Sequence, residues 1–452
     1  MKTNPLLFFP LAFILTACTA SVPTQPGASA PTLTSGPAPT AATPSQEPPL
    51  STQTSFRQGT FFGLTYQREN GNRVLAGKGS LPGGEPLQVA LGGEARWLAA
   101  VPYRSGSLWT AVLADGTVET YHLVDGQVKS LDLGWGPLPA GMPPLVVNHE
   151  GDLRFYGPPT ADASPLTHPV LLDPERERLA YLTEKGALVL REEGEEIDRL
   201  AVNALPDARL IVDDRGRLLF LSQPTDRYPH GALGDDLEAG ALTLAAADPG
   251  LRILREIQIP GTGVVEGISP LWIDLDGDGV REILVTISEQ EQGARLVLFS
   301  EEGEVLARGP APGQGFRWRH QLAAAPFGTE GEILVVDVLR PHLDAVLEFF
   351  SWEGEQLVRQ SGLPGYSSHR LGSRNLDLAR VGDLDGDGSL EVLVPDQSQT
   401  SLHGISLQGG EAVLNWSVEL EGRLTSNLAG VSLPDGRLVL GSAAGETLDL
   451  WP

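Results

Sequence analysis

The sequence predicts an all-β protein, a β-propeller of about seven four-stranded blades or eight, behind a disordered N-terminal tether. Three observations predict it. Short runs rich in apolar and β-branched residues, separated by glycine turns, extend from residue 56 to the end of the chain. From Gly194 the turns at Gly250, Gly303, Gly354 and Gly409 follow at intervals of 51 to 56 residues, the period of a four-stranded blade. Amphipathic helical periodicity of useful length is missing from the same stretch.

The N-terminus reads as an export signal over residues 1–18. Lys2 is a minimal charged region, and Leu6 to Leu15 is an apolar run too short to span a bilayer as a finished helix. It ends in Leu15-Thr16-Ala17-Cys18, which resembles a bacterial lipobox, and Cys18 is the only cysteine. The resemblance implies lipidation at Cys18 and a protein exported and lipid-anchored at the cell envelope. Thr19 in place of aspartate favours the outer membrane if the cell has two. Each buried methylene of an acyl chain contributes about 0.8 kcal/mol, so several chains anchor firmly. A single cysteine excludes an intrachain disulfide.

Residues 19–54 are dominated by Pro, Ser, Thr, Ala and Gln, with Glu47 the single charge. Such a segment buries too little apolar surface to fold. As a tether it would hold the domain on the order of 50–100 Å from the lipid. Residues 55–452 form the propeller domain. The formal charge of −26 argues against nucleic acid and against an anionic membrane surface as partners.

Within the domain, Thr60 to Tyr66 reads as a strand that completes the last blade and closes the ring. Asn70-Gly71 and Val124-Asp125-Gly126 extend the series of turns backwards, and 134–170 is irregular. The clearest blade has Leu271 to Ile273 as inner strand, then Glu282 to Ile287, Arg295 to Phe299 and Glu304 to Ala307. The next has Glu332-Ile333-Leu334-Val335 in register with Glu282-Ile283-Leu284-Val285. Asp213-Asp214-Arg215-Gly216 and Pro434-Asp435-Gly436 read as plain turns. The C-terminal set, Leu438 to Leu440 and Thr447 to Trp451, lacks an outer strand.

Two acidic loops carry chemistry. They are Asp274-Leu275-Asp276-Gly277-Asp278-Gly279-Val280-Arg281-Glu282 and Asp383-Leu384-Asp385-Gly386-Asp387-Gly388-Ser389-Leu390-Glu391. Carboxylates at alternate positions repel unless a cation sits among them, and hard oxygens suit Ca²⁺. Position 12 is Val285 or Val394, inside a β-run, so the EF-hand pattern fails there. With a strand on each side, the loops resemble those of FG-GAP/VCBS repeat β-propellers, including the calcium blades of integrin heads. The resemblance implies two calcium sites. Their ligands would be Asp274, Asp276, Asp278, the Val280 carbonyl and Glu282, and Asp383, Asp385, Asp387, the Ser389 carbonyl and Glu391. Glutamate stands at position 9 where integrin loops usually carry aspartate.

The acidic loops belong to one face of a propeller. The opposite face takes the loops between second and third strands and the links between blades. That set contains Arg227-Tyr228-Pro229-His230, Arg317-Trp318-Arg319-His320, Arg340-Pro341-His342, His369-Arg370 and Arg374, holding four of the eight histidines. Two readings stay open. In one, these residues satisfy backbone carbonyls and carboxylates such as Asp235, Asp236, Asp344 and Asp377. In the other, they line an anion- or sugar-binding pocket at the mouth of the channel, with Trp318 and Tyr228 stacking on a sugar.

The expected function is binding or scaffolding of an envelope protein or glycan. The alternative is a carbohydrate-active enzyme of polysaccharide lyase or sugar dehydrogenase type, with histidine as base and arginine as charge stabiliser. No nucleophile context, phosphate-cradling loop or HExxH helix supports catalysis.

Overall fold

The computed structural model describes residues 59–452. The lipobox at Cys18 and the 19–54 segment lie outside the described residues. Within them every regular element is a strand, and the strands form a β-propeller of eight blades, of which blades 4, 5 and 6 are hydrogen-bonded into one 13-stranded sheet. Eight is the larger of the two expected counts.

In ring order, blade 1 comprises Ala95–Tyr103, Gly106–Leu113, Val118–Val124 and Gln127–Ser130. Blade 2 comprises Thr60–Gly63, Leu145–His149 and Asp152–Tyr156. Blade 3 runs from Val170–Asp173 through Arg178–Leu182 and Ala187–Glu192 to Glu195–Ala201. Blade 4 has Ile211–Val212, Arg217–Thr225, Glu238–Ala246 and Arg252–Gln258. Blade 5 has Leu271–Ile273, Glu282–Glu289, Gly293–Phe299 and Val305–Arg308. Blade 6 has Arg319–Ala325, Leu334–Leu339, Val346–Glu353 and Gln356–Pro364. Blade 7 has Arg380–Asp383, Glu391–Pro395, Ser401–Gln408 and Glu411–Glu419. Blade 8 has Ala429–Ser432, Leu438–Ala444 and Thr447–Trp451, completed by Leu87–Ala90 from near the other end of the chain.

The periodic glycine turns all join the third strand of a blade to its fourth. Gly194, Gly303 and Gly354 adopt φ between +59° and +90°, a region open to glycine at low cost. Middle strands are buried over nearly their whole length because each sheet is covered on both faces by its neighbours, as in Glu282–Glu289. Outermost strands are largely exposed, as in Arg252–Gln258. The core therefore lies between blades. Leu284 and Leu296 of blade 5, for example, cluster with Ala324, Val335 and Phe350 of blade 6. Each buried Leu, Val or Phe of this kind contributes roughly 1.5–3 kcal/mol.

Two expectations are corrected. Thr60 to Tyr66 does not complete the last blade: Thr60–Gly63 pairs with Leu145–His149, and Leu87–Ala90 does the closing against Thr447–Trp451. Asn70-Gly71 is not a blade turn. It lies on an N-terminal segment that follows the inner wall of the ring. Arg68 donates to Leu171 O at 2.8 Å in blade 3, and its own carbonyl accepts from Val212 N at 3.0 Å in blade 4. Asn70 O accepts from Trp272 N at 2.8 Å in blade 5, and Asn72 donates to Ala324 O at 2.7 Å in blade 6. Val74–Lys78 then runs parallel to Arg380–Asp383 of blade 7, and Ala76 O accepts from Ser432 of blade 8 at 2.7 Å. The segment closes the ring twice, as the first strand of blade 2 and as the outer strand of blade 8.

Candidate functional site

The acidic loops occupy the turns between the first and second strands of blades 5 and 7. In each, three carboxylates converge: Asp274, Asp276 and Glu282 in one, Asp383, Asp385 and Glu391 in the other, with oxygens all within 4.8 Å of one another. Gly277, Gly279, Gly386 and Gly388 adopt φ of 79°, 87°, 80° and 98°, so the backbone curls back on itself. Amides inside the loop hold the side chains. Leu275 N donates to Glu282 Oε2 at 2.8 Å and Leu384 N to Glu391 Oε2 at 2.9 Å. Asp278 and Asp387 stand outside the convergent groups; each accepts from the amide two residues on, Val280 or Ser389, at 2.7 Å.

The glutamates begin second strands and are buried, Glu282 5% and Glu391 0% exposed. Burial, aided by the neighbouring aspartates, pushes both carboxyls up to about 7. Glu391 Oε1 is sealed from solvent with no hydrogen-bond partner. An orphaned carboxylate oxygen inside a ring of hard donors fits a divalent cation of calcium type, whose charge would reverse the cost of ionising these groups.

On the opposite face, three predicted histidines gather around one tryptophan. The Trp318 ring stacks on His320 at 5.2 Å and on His342 at 5.9 Å, and meets His369 edge-on at 4.8 Å. His342 Nε2 lies 2.7 Å from His369 Nδ1, His369 Nε2 2.6 Å from Ser373 O, and His320 Nδ1 2.8 Å from Ser368 Oγ. Burial lowers His342 to about 4, His369 to about 3, and His320 well below its ordinary value. These rings are neutral at pH 7, so the cationic character expected of the face rests on arginine. Trp318 and Tyr228 are 2% and 1% exposed and offer no ring face to a sugar. His230 accompanies them, hydrogen-bonded to Glu266 and stacked 4.8 Å from the exposed Phe316.

Most of the predicted arginines are occupied. Arg319 is buried in blade 6 between Asp337 and Glu348 at 2.6 and 2.7 Å. Arg340 pairs with Asp344, and Arg374 with Asp207 and Asp235. Arg227 donates to Gly263 O, and Arg317 to Gln314 O and Pro312 O. Arg370 differs. Its one hydrogen bond goes to Leu424 O at 2.5 Å, and burial followed by the charges of Arg423 and Arg96 lowers its pKa. It borders a cleft of about 400 Å³ together with Arg96, Trp97, Leu371, Arg374 and Thr425. Exposed apolar residues share this face: Leu237 and Leu343 on loops between second and third strands, Phe316 and Leu371 on blade links, at 44%, 65%, 44% and 64% exposure.

Sequence reasoning named Asp377 as a carboxylate to be satisfied but missed the arginines buried around it at the ring's centre. Asp377 accepts from Arg73 Nε at 3.1 Å and from both terminal nitrogens of Arg209 at 3.0 and 2.5 Å. Arg380 lies beside them, and all four are at most 4% exposed. A signal was available: Ala208-Arg209-Leu210 and Ala379-Arg380-Val381 both lead into inner strands, where a charged side chain faces the channel.

No family model matches the chain. No curated protein matches it either. Among solved structures, it is similar to a chain of the "Crystal Structure of Mitotic Checkpoint Complex", at 13% identity and TM-score 0.39, covering 83% of this chain and 98% of that one. It is also similar to the WD40 β-propeller domain of Doa1, at 11% identity and TM-score 0.40, covering 81% and 96%.

Proposed function

We propose that this protein is an envelope-anchored propeller that binds a protein partner through the face opposite its acidic loops. Calcium staples the turns of blades 5 and 7 in this reading. One observation carries it: Leu371 and Phe316 stand exposed on the face that also holds the Arg370 cleft. Apolar anchors beside an arginine are the composition of a binding hot spot, and the cleft suits an acidic group on the partner. The histidines around Trp318 serve as a neutral floor: His342 pairs with His369, His369 with Ser373 O and His320 Nδ1 with Ser368, while His320 Nε2 is sealed from solvent without a partner. Such rings are poorly set up for general-base work, which weighs against the enzymatic alternative.

In the calcium loops, Asp274, Asp276 and Glu282, and Asp383, Asp385 and Glu391, would hold the ion. It would supply charge neutralisation and fix the bend into the second strand. Cys18 would carry the acyl chains that place the propeller at the membrane.

The test is binding of purified propeller to a panel of envelope proteins, with acidic and neutral oligosaccharides as separate arms. Arg370→Ala and Leu371→Asp should each weaken protein binding at least tenfold, whereas Ile253→Asp on the outer edge of blade 4 should not. Equal binding by all variants would defeat the assignment of the face. Binding only in the acidic-oligosaccharide arm, lost in Arg370→Ala and kept in Leu371→Asp, would replace the protein partner by a glycan.

A further inference from the structure

A cavity of about 120 Å³ lies between the N-terminal segment and the inner strands of blades 1, 7 and 8. Its lining includes Arg68, Glu69, Arg73, Arg380, Ala100 and Val431. Arg380 is 2% exposed, and its one hydrogen bond goes to the adjacent Ala379 O at 3.1 Å. A guanidinium carries five donors, and burial without partners for them is costly. Here most of the fork is left for whatever fills the cavity.

The charge count points the same way. Arg68 is paired with Glu69 at 3.3 Å, and Asp377 is shared between Arg73 and Arg209. Around Arg380, three buried guanidiniums, its own and those of Arg73 and Arg209, share the carboxylate of Asp377, and the nearby Asp207 is engaged by Arg374, so positive charge is in excess here within a protein whose net charge is −26. Buried charge in excess is expensive unless a counter-ion joins it. Burial first, with smaller contributions from the charges of Arg73 and Arg209, brings Arg380 down to about 10 against the pull of Asp377.

We propose that this central cavity binds a small dianionic oxyanion, of the size of phosphate or sulfate, through the guanidinium fork of Arg380 and the remaining terminal nitrogen of Arg73, whose Nε and Nη1 are held by Asp377 at 3.1 Å and by Leu322 O at 2.8 Å. The planar fork of arginine matches the paired oxygens of such an ion, and doubly negative charge balances the excess. A buried water needs roughly 10–15 Å³ of cavity, so a tetrahedral oxyanion and a few waters fit. Bound there, the anion would tie the N-terminal segment to blade 7. It is thus a structural ligand of ring closure, independent of the partner-binding face and of calcium.

The experiment is thermal unfolding of the purified propeller in sodium phosphate, sodium sulfate and sodium chloride at matched ionic strength. Phosphate or sulfate should raise Tm in a saturable way that chloride does not. Arg380→Gln should abolish that difference, and Arg437→Gln, at an exposed pair with Asp435, should keep it. Should Arg380→Gln fail to fold, ion chromatography of the denatured wild-type protein decides, with about one equivalent of phosphate or sulfate released per chain. Identical curves in the three salts, together with no released oxyanion, would overturn the proposal. So would an Arg380→Gln variant that folds and keeps the full response.

Discussion

Arg73 and Asp377 stand 304 positions apart in sequence, and Arg73 Nε donates to Asp377 Oδ1 over 3.1 Å at the centre of the ring. Burial alone would push the Asp377 carboxyl up. Arg209 and Arg73 outweigh it and hold the group well below the usual carboxylate range. One aspartate therefore joins the N-terminal segment, blade 4 and blade 7.

Removing that carboxylate while keeping its shape should be severe. Asp377→Asn leaves Arg73 and Arg209 buried without their counter-charge, for an expected loss of ~3–5 kcal/mol. Urea unfolding followed by tryptophan fluorescence measures it. Asp435→Asn, which loosens an exposed ion pair with Arg437, should leave the midpoint unchanged. Similar effects in the two variants would contradict a central role for Asp377.

Gly71 lets the segment pass blade 5 at close range. Its φ is +74°, and a Cβ there would lie 2.4 Å from Pro270 O. Gly84 has a similar φ of +83° with open space around it. Gly84→Ala should cost about 1 kcal/mol of backbone strain. Gly71→Ala adds a clash with backbone and should cost at least twice as much, measured by the same unfolding assay. Equal losses would mean that the segment does not press on blade 5.

The buried histidines predict an acid limb in the stability profile. Burial, first among the causes, holds His369 at about 3 and His168 and His342 at about 4. Their unfolded value is about 6.5, so the unfolded chain binds more protons below that pH. Stability from these groups is complete above about pH 6.5 and is lost as pH falls through the folded values. Tm measured from pH 7 to 4 should drop less in a His168→Gln/His369→Gln double variant than in wild type. Parallel curves would contradict it.

The blades were legible because their third-to-fourth turns need glycine or another residue tolerant of positive φ, and the strands between them are short apolar runs. Gly194, Gly303 and Gly354 mark that period directly. The route of residues 60–82 was not legible. Asn70-Gly71 has the composition of a hairpin turn, and only the packed ring shows that Gly71 is required by the approach to Pro270 O. Thr60 to Tyr66 has the composition of a strand, but its expected place in the last blade fails because pairing across the ring is not encoded locally. The acidic loops were visible as a repeated pattern. Convergence of Asp274 and Asp276 on Glu282, with Asp278 turned to its own loop, depends on how the backbone curls. On the other face, chain order put His230, His320, His342 and His369 in one set, and the last three meet at Trp318. Their burial around Trp318 depends on packing between blades 5, 6 and 7.

Calcium binding is tested most directly by isothermal titration of ion-free protein, with thermal unfolding as a second readout. Two calcium ions should bind per chain and raise Tm, EDTA should reverse the rise, and Asp276→Ala/Asp385→Ala should show neither heat nor shift. A wild-type protein that gives no binding heat, and a Tm unchanged between excess calcium and EDTA, would contradict the account.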